Sequence, residues 1–204
     1  MADLWALERA CRAGGIGLVC GADEAGAGPL AGAVYAGAVI LPDGLALEGL
    51  NDSKQVSPKN RDRLFDEIRE KAVAWAVAWV DEGEIDRINI LNARMLAMDK
   101  AIHLLEPAPE FALIDGNRNK GITIPNTTVV KGDSRSASIA AASILAKVSR
   151  DRYVTGVLDR EYPQYQFAKH KGYGTKLHYE MLDRYGPCPA HRRTFLKKWE
   201  ARRT

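Results

Sequence analysis

The 204-residue chain carries 29 basic and 26 acidic residues, a formal net charge of +3, which is too near balance to imply a nucleic-acid partner from charge alone. Its 46% hydrophobic and 27% charged content is that of an ordinary soluble globular protein, so one domain over residues 1–204 is expected. The three cysteines, Cys11, Cys20 and Cys188, are odd in number and form no CxxC pair, which argues against a disulfide framework or a zinc knuckle; no apolar run is long enough to span a membrane. A cytoplasmic protein without membrane contact is expected, with Cys20 in the core and Cys188 and His191 too few to ligate zinc.

In chain order, Ile16 to Ala22 and Ala31 to Leu41 are apolar runs rich in small and β-branched residues, separated by a Gly/Pro turn, and read as neighbouring strands. Ser57-Pro58 is an N-cap followed by proline at the first helical position, and opens a helix through Leu64, Phe65 and Ile68. In VAWAVAW, Val73, Trp75, Val77 and Trp79 alternate with alanines, which at strand period gives one bulky face and one smooth face. Ile88, Leu91, Met95, Met98, Ile102 and Leu105 then form one helical stripe that ends before Pro107 and Pro109, and that stripe reads as core.

Phe111 to Ile114 is a short strand ending in Asp115-Gly116, and Thr127 to Val130 another, ending in Lys131-Gly132-Asp133. Ser136 or Ser138 can cap the alanine-rich helix SIAAASILAKVSRDR, whose small side chains permit close packing on a sheet. A loop, YPQYQFAKHKGYGT, leads to a helix from about Thr175 to Tyr185, stopped by Gly186-Pro187. The closing HRRTFLKKWEARRT is basic and reads as solvated surface, so that about 175–204 form a C-terminal helical and basic extension.

Three strands followed by two more between helices predict an α/β fold with a mixed sheet. Acids end three of the strands. Buried carboxylates cost folding energy unless cations or hydrogen bonds compensate them. If the first strand lies beside the one ending at Asp115, then Asp23, Glu24 and Asp115 meet at one sheet edge and Asp133 arrives from beside them. Four carboxylates without histidine or thiolate partners suit Mg²⁺ or Mn²⁺ rather than zinc. Two such ions about 4 Å apart are the apparatus of phosphodiester hydrolysis, one activating water and the other stabilising the leaving oxygen.

DEAGxGPLAG at 23–32, NDSKQVS at 51–57, NILNARMLAM at 89–98, LIDGN at 113–117, KGDSRSASIAAASILAKVSRDR at 131–152 and FAKHKGYGT at 167–175 sharpen that expectation. Together, over roughly residues 16 to 195, they resemble bacterial type 2 ribonuclease H. The resemblance implies a ribonuclease H-like fold, with a central five-stranded mixed sheet flanked by helices. It also implies a divalent-metal endonuclease that nicks duplex DNA on the 5′ side of an embedded ribonucleotide and cuts the RNA strand of RNA–DNA hybrids, with 5′-phosphate and 3′-hydroxyl products. Asp23, Glu24, Asp115 and Asp133 match the family's metal-holding acids. Gly26, Ala27 and Gly28 match its Gly-Arg-Gly segment, whose backbone meets the ribose, and Tyr173 matches the tyrosine that packs on the next deoxyribose. Asn51, Ser53, Lys54 and Lys147 match polar positions assigned to phosphate contacts. Asp151, flanked by arginines, reads as an ion-paired surface residue.

Ala27 departs from the pattern, because alanine keeps the turn small and loses a cationic fork for phosphate. A non-catalytic hybrid-binding module is the competing expectation, and four retained carboxylates weigh against it. The type 3 enzyme carries an additional N-terminal domain, for which fifteen residues leave no room, and no P-loop indicates a phosphotransferase. A monomer is expected.

Overall fold

The computed structural model describes residues 3–51, 53 and 56–202. After helix α1 (Ala6–Ala13), strands β1 (Val19–Ala25) and β2 (Val34–Ile40) form an antiparallel pair, and helix α2 (Pro58–Lys71) leads to β3 (Ala74–Val80), antiparallel to β2. Helices α3 (Glu82–Ile88) and α4 (Ile90–His103) follow, then β4 (Phe111–Asp115) and β5 (Asn126–Val129), both parallel to β1. The sheet order is β3-β2-β1-β4-β5, so β1 and β4 are neighbours in the middle of the mixed sheet.

Helix α5 (Ala137–Tyr153) lies flat on β1 and β2, and its alanines together with two glycines make that possible. A Cβ on Gly21 would collide with the backbone of Ser138 and Ile139, and one on Gly37 with the carbonyl of Ala142. Ser136 is the N-cap, its Oγ accepting from Ile139 N–H at 3.1 Å. The buried Glu8 of α1 adds a carboxylate at the same helix end, where the exposed amides favour negative charge. Its Oε1 accepts from Ser136 Oγ at 2.6 Å and from Ser138 N–H at 3.0 Å.

The opposite face is covered by α4, whose Met95, Met98 and Ile102 pack on the smooth, alanine side of β3 and on β2. Each such side chain contributes roughly 1.5–3 kcal/mol by leaving water. The expected single stripe is in fact two helices. Asn89 adopts φ 66° and its Oδ1 caps α4 by accepting from the N–H groups of Leu91 and Asn92, so Ile88 ends α3 and Leu91 is 42% exposed. Spacing of three and four cannot register a break that preserves the stripe's direction.

The strands are also offset from the sequence expectation. β1 runs through the two acids rather than ending before them, and Asp133 sits on a 3₁₀ turn (Gly132–Ser134) beyond β5. The loop before the helix Lys176–Tyr185 contains a 3₁₀ turn at Pro163–Tyr165 and a short helix at Phe167–His170. The final segment is not solvated surface throughout, because Arg192 and Leu196 are fully buried. No helix among the described residues is long and apolar enough to cross a membrane.

Candidate active site

The parallel register pairs Ala22 with Ile114, so one residue further along Asp23 and Asp115 stand abreast at the carboxyl ends of β1 and β4. Open α/β sheets place their ligands at such an edge. Asp23 is buried, and its Oδ1 accepts from Glu24 N–H at 2.7 Å. Its pKa lies well above the ordinary carboxylate value, first because burial penalises the charge and then because Glu24, Asp115 and Asp133 repel it. Burial also raises Glu24, against the opposing pull of Arg94.

Asp115 is held differently. Its Oδ1 accepts from Gly132 N–H at 2.7 Å, an approach that depends on glycine because a Cβ there would crowd both Ile139 and that carboxylate oxygen. The same contact ties the turn bearing Asp133 to the end of β4. All four acids are thereby brought to one edge, close enough for Asp23 to be repelled by the other three.

A protein cation stands beside Glu24. Arg94 Nε lies 2.7 Å from Glu24 Oε1, although its N–H is not aimed along the contact, and Glu24 Oε2 is buried without a hydrogen-bond partner among the described residues. No three His, Cys, Asp or Glu side chains among the described residues are arranged to close on a metal ion. The donor set nonetheless fits a hard divalent cation: it is all oxygen, it includes a buried orphan oxygen, and its members repel one another.

Beside the acids is a cleft of about 470 Å³ lined by Asp23, Glu24, residues 25–28, Ser53, Arg61, Ser143, Lys147 and Tyr173. It thus gathers Gly26, Ala27, Gly28, Ser53, Lys147 and Tyr173 as the sequence predicts. Asn51 is exposed and does not line the cleft, and Lys54 lies outside the described residues. Ser53 is buried, its Oγ accepting from Ser143 Oγ at 2.7 Å, so its hydroxyl anchors the loop to α5. Lys147 pairs with Asp151 at 2.8 Å, which makes a lysine rather than the flanking arginines the main partner of Asp151.

Several functional supports are absent from the sequence expectation. Arg61 donates from Nη1 to the carbonyls of Ser53 and Val56, both at 2.7 Å, and so pins the 51–57 loop. Arg192, fully buried, holds the 26–32 turn from beneath: Nη2 donates to Gly26 O at 2.7 Å and Gly32 O at 2.6 Å, Nη1 to Ala27 O at 3.1 Å and Nε to Gly32 O at 2.9 Å. Burial lowers its pKa to about 9, with Arg150 adding repulsion. Arg150 fills the space under Gly26, whose φ of 96° and lack of a Cβ make room for it, and its guanidinium carbon lies 5.8 Å from the Tyr173 ring.

The Tyr173 loop is braced by a relay of neutral histidines. His178 Nδ1 is 2.9 Å from Tyr173 O, His178 Nε2 is 3.0 Å from His191 Nε2, and His191 Nδ1 accepts from Cys188 N–H at 3.0 Å. With a carbonyl at one end and an N–H at the other, the only consistent tautomers have His178 protonated on Nδ1 and His191 on Nε2. Both pKa values fall to about 4, chiefly through burial.

The ribonuclease HII family model matches residues 20–200. A ribonuclease HII from Caldicellulosiruptor saccharolyticus is 51% identical over 183 residues, covering 90% of this chain and 89% of that protein. One from Ruminiclostridium cellulolyticum is 50% identical over 192 residues, covering 94% and 75%. Among solved structures, ribonuclease H2 from Pyrococcus horikoshii superposes with a TM-score of 0.73 at 27% identity, covering 91% of this chain and 98% of the other.

Proposed function

The chain belongs to the ribonuclease HII family, a metal-dependent endonuclease family that acts on RNA–DNA hybrids, and on that premise we propose that it also nicks duplex DNA on the 5′ side of a single embedded ribonucleotide. Such a nick leaves the ribonucleotide on a 5′-phosphate end opposite a 3′-hydroxyl, and serves removal of ribonucleotides from DNA. The observation that carries the reading is one shared cleft, in which Asp23 and Glu24 face the small-residue turn 26–28 and Tyr173.

Asp23, Glu24, Asp115 and Asp133 are the residues that would hold divalent cations, Mn²⁺ or Mg²⁺. Two ions bound there would supply an activated water and a sink for the charge of the leaving 3′-oxygen. The remaining work belongs to the chain. Gly26 and Gly28 let backbone groups approach a 2′-hydroxyl, the feature that distinguishes RNA from DNA. Tyr173, 42% exposed above Arg150, offers a flat surface to the neighbouring deoxyribose. Lys147 and Lys54 supply positive charge to the phosphates, and Asn51, outside the cleft, offers them a neutral polar contact. All four acids come from one chain, so a single copy suffices for cleavage.

Ala27 weakens substrate binding without removing the chemistry. Its methyl reaches no phosphate, and Arg192 bonds its carbonyl from the buried side. Restoring arginine at this position should raise affinity and steepen the salt dependence of binding by about one unit; an unchanged slope would refute that part.

The decisive test is an end-labelled duplex holding one ribonucleotide, incubated with Mn²⁺, Mg²⁺ or EDTA beside an all-DNA control. A nick on the 5′ side of the ribose in both metals, abolished by EDTA, is expected. A duplex left whole in manganese would sink the reading, and binding without cleavage would favour a non-catalytic module.

A further inference from the structure

Asp133 is the one acid of the four that no strand carries. It sits half-buried on the 3₁₀ turn Gly132–Ser134, and so short a turn, with poorer hydrogen-bond geometry than an α-helix, does little to fix its own position. Its place is set by what holds the two ends. Upstream, Gly132 N–H is bonded to Asp115 Oδ1. Downstream, the N–H groups of Arg135 and Ser136 return to Gly132 O at 2.9 and 2.8 Å, so the turn is continuous with the start of α5.

That start is held by α1. Of the first three amides of α5, Ala137 N–H donates to Leu4 O at 2.8 Å, Ser138 N–H to Glu8 Oε1 at 3.0 Å and Ile139 N–H to Ser136 Oγ at 3.1 Å. The helix's own cap therefore serves one amide, and the N-terminal segment serves the other two. The Ser136 hydroxyl is itself oriented by Glu8, to which it donates at 2.6 Å across 128 residues of sequence.

Helix stability alone does not account for Glu8. The residue is fully buried, and its Oε2 has no hydrogen-bond partner among the described residues, an arrangement that costs folding energy. Ser136 caps the helix already. What Glu8 adds is register: one oxygen shared between a hydroxyl and the second amide fixes the first turn of α5 and the Ser136 side chain together. Its own helix is seated on the sheet, where Leu7 and Cys11 pack against Val19, Leu113, Val129 and Ile139. The strands that carry Asp23 and Asp115 thus share one apolar cluster with the helix that holds the start of α5.

We propose that Glu8 is a positioning residue for the metal centre, which sets the first turn of α5 through Ser136 and Ser138 and so keeps Asp133 within reach of Asp23 and Asp115. This rests on the reading that the four acids hold divalent cations. Glu8 touches neither metal nor nucleic acid, and it acts through the three residues that separate Ser136 from Asp133.

The test is Mn²⁺ binding by the full chain without nucleic acid, with the free ion counted by electron paramagnetic resonance. Glu8→Ala should weaken binding about tenfold or more, the scale on which residues behind metal ligands act. Glu8→Gln retains an oxygen to accept from Ser136 and Ser138, and should bind as the parent does. In cleavage assays Glu8→Ala should raise the Mn²⁺ requirement by the same factor and leave KM for the duplex unchanged at saturating metal. Should Glu8→Ala fail to fold, Glu8→Asp, one methylene shorter, should show the same shift in smaller measure. Parent-like Mn²⁺ affinity in the folded Glu8→Ala or Glu8→Asp chain, with only the melting temperature lowered, would overturn the proposal. Equal weakening in Glu8→Gln would also overturn it, by making charge rather than position the cause. A parent chain that binds no Mn²⁺ would instead sink the reading of the acids on which the proposal stands.

Discussion

Two buried polar regions meet at the turn 26–28, and they are balanced in opposite ways. Beneath the turn, the Arg192 guanidinium spreads four hydrogen bonds over three carbonyls, and the histidine relay satisfies both ring nitrogens of His178 and His191. Beside the turn, Asp23 is raised by burial and by three neighbouring acids, and Glu24 keeps a buried oxygen without a partner. Of the frame beneath the turn, Arg192 and the two histidines are satisfied by the protein alone, with Arg150 Nη1 beside them buried without a hydrogen-bond partner among the described residues, whereas the acid edge is left to be satisfied by something that binds. A polar network with every member partnered rigidifies, while a half-satisfied one stores free energy that a ligand can release.

The comparison can be broken most sharply at the acids. Asp23→Asn should lower cleavage on the order of a thousandfold while raising the metal-free melting temperature, because it removes repulsion. A falling melting temperature would place Asp23 in the frame instead. Arg192→Ala should do the reverse: unsatisfied buried carbonyls cost about 1–3 kcal/mol each, and at about 2–4 °C per kcal/mol for a chain of this length the melting point should drop by several degrees.

Arg94→Ala sharpens the picture from the acid side. The variant leaves Glu24 without its one ion-pair partner among the described residues, so calorimetry in EDTA should show a lower melting temperature. Added Mn²⁺ should restore more of it than in the parent chain, by a margin of about 1–3 kcal/mol. Equal metal-induced shifts in the two proteins would show that Arg94 does not share in balancing the site.

The smallest expected effect is on pH. His178 and His191 have folded pKa values near 4 against about 6.5 when unfolded. Above pH 6.5 they are neutral in both states, and as pH falls toward 4 the unfolded chain binds protons that the folded one refuses. Stability should therefore decline through that window. Replacing His191 with Gln should flatten the decline, as followed by thermal melts at fixed ionic strength.

The acid edge was largely legible in the sequence because strand-terminating acids and Gly/Pro turns are local signals, and one parallel pairing, β1 with β4, brings them together. The smooth face of β3 and the Ser57 cap were legible for the same reason. The frame was not. Arg61, Arg94, Arg150 and Arg192 are basic residues on helices or loops, a pattern shared with any solvated surface. Only tertiary contacts, across 165 residues for Arg192 and Ala27, turn them inward. The helix break at Asn89 was not legible because it leaves the apolar stripe aligned.

That long span bears on synthesis. Asp23, Glu24, Asp115 and Asp133 leave the ribosome well before Arg192, so a nascent chain can pair its strands and assemble its carboxylates while the turn that greets the nucleic acid still lacks its foundation. Competence would arrive late and at once, with the emergence of a single guanidinium.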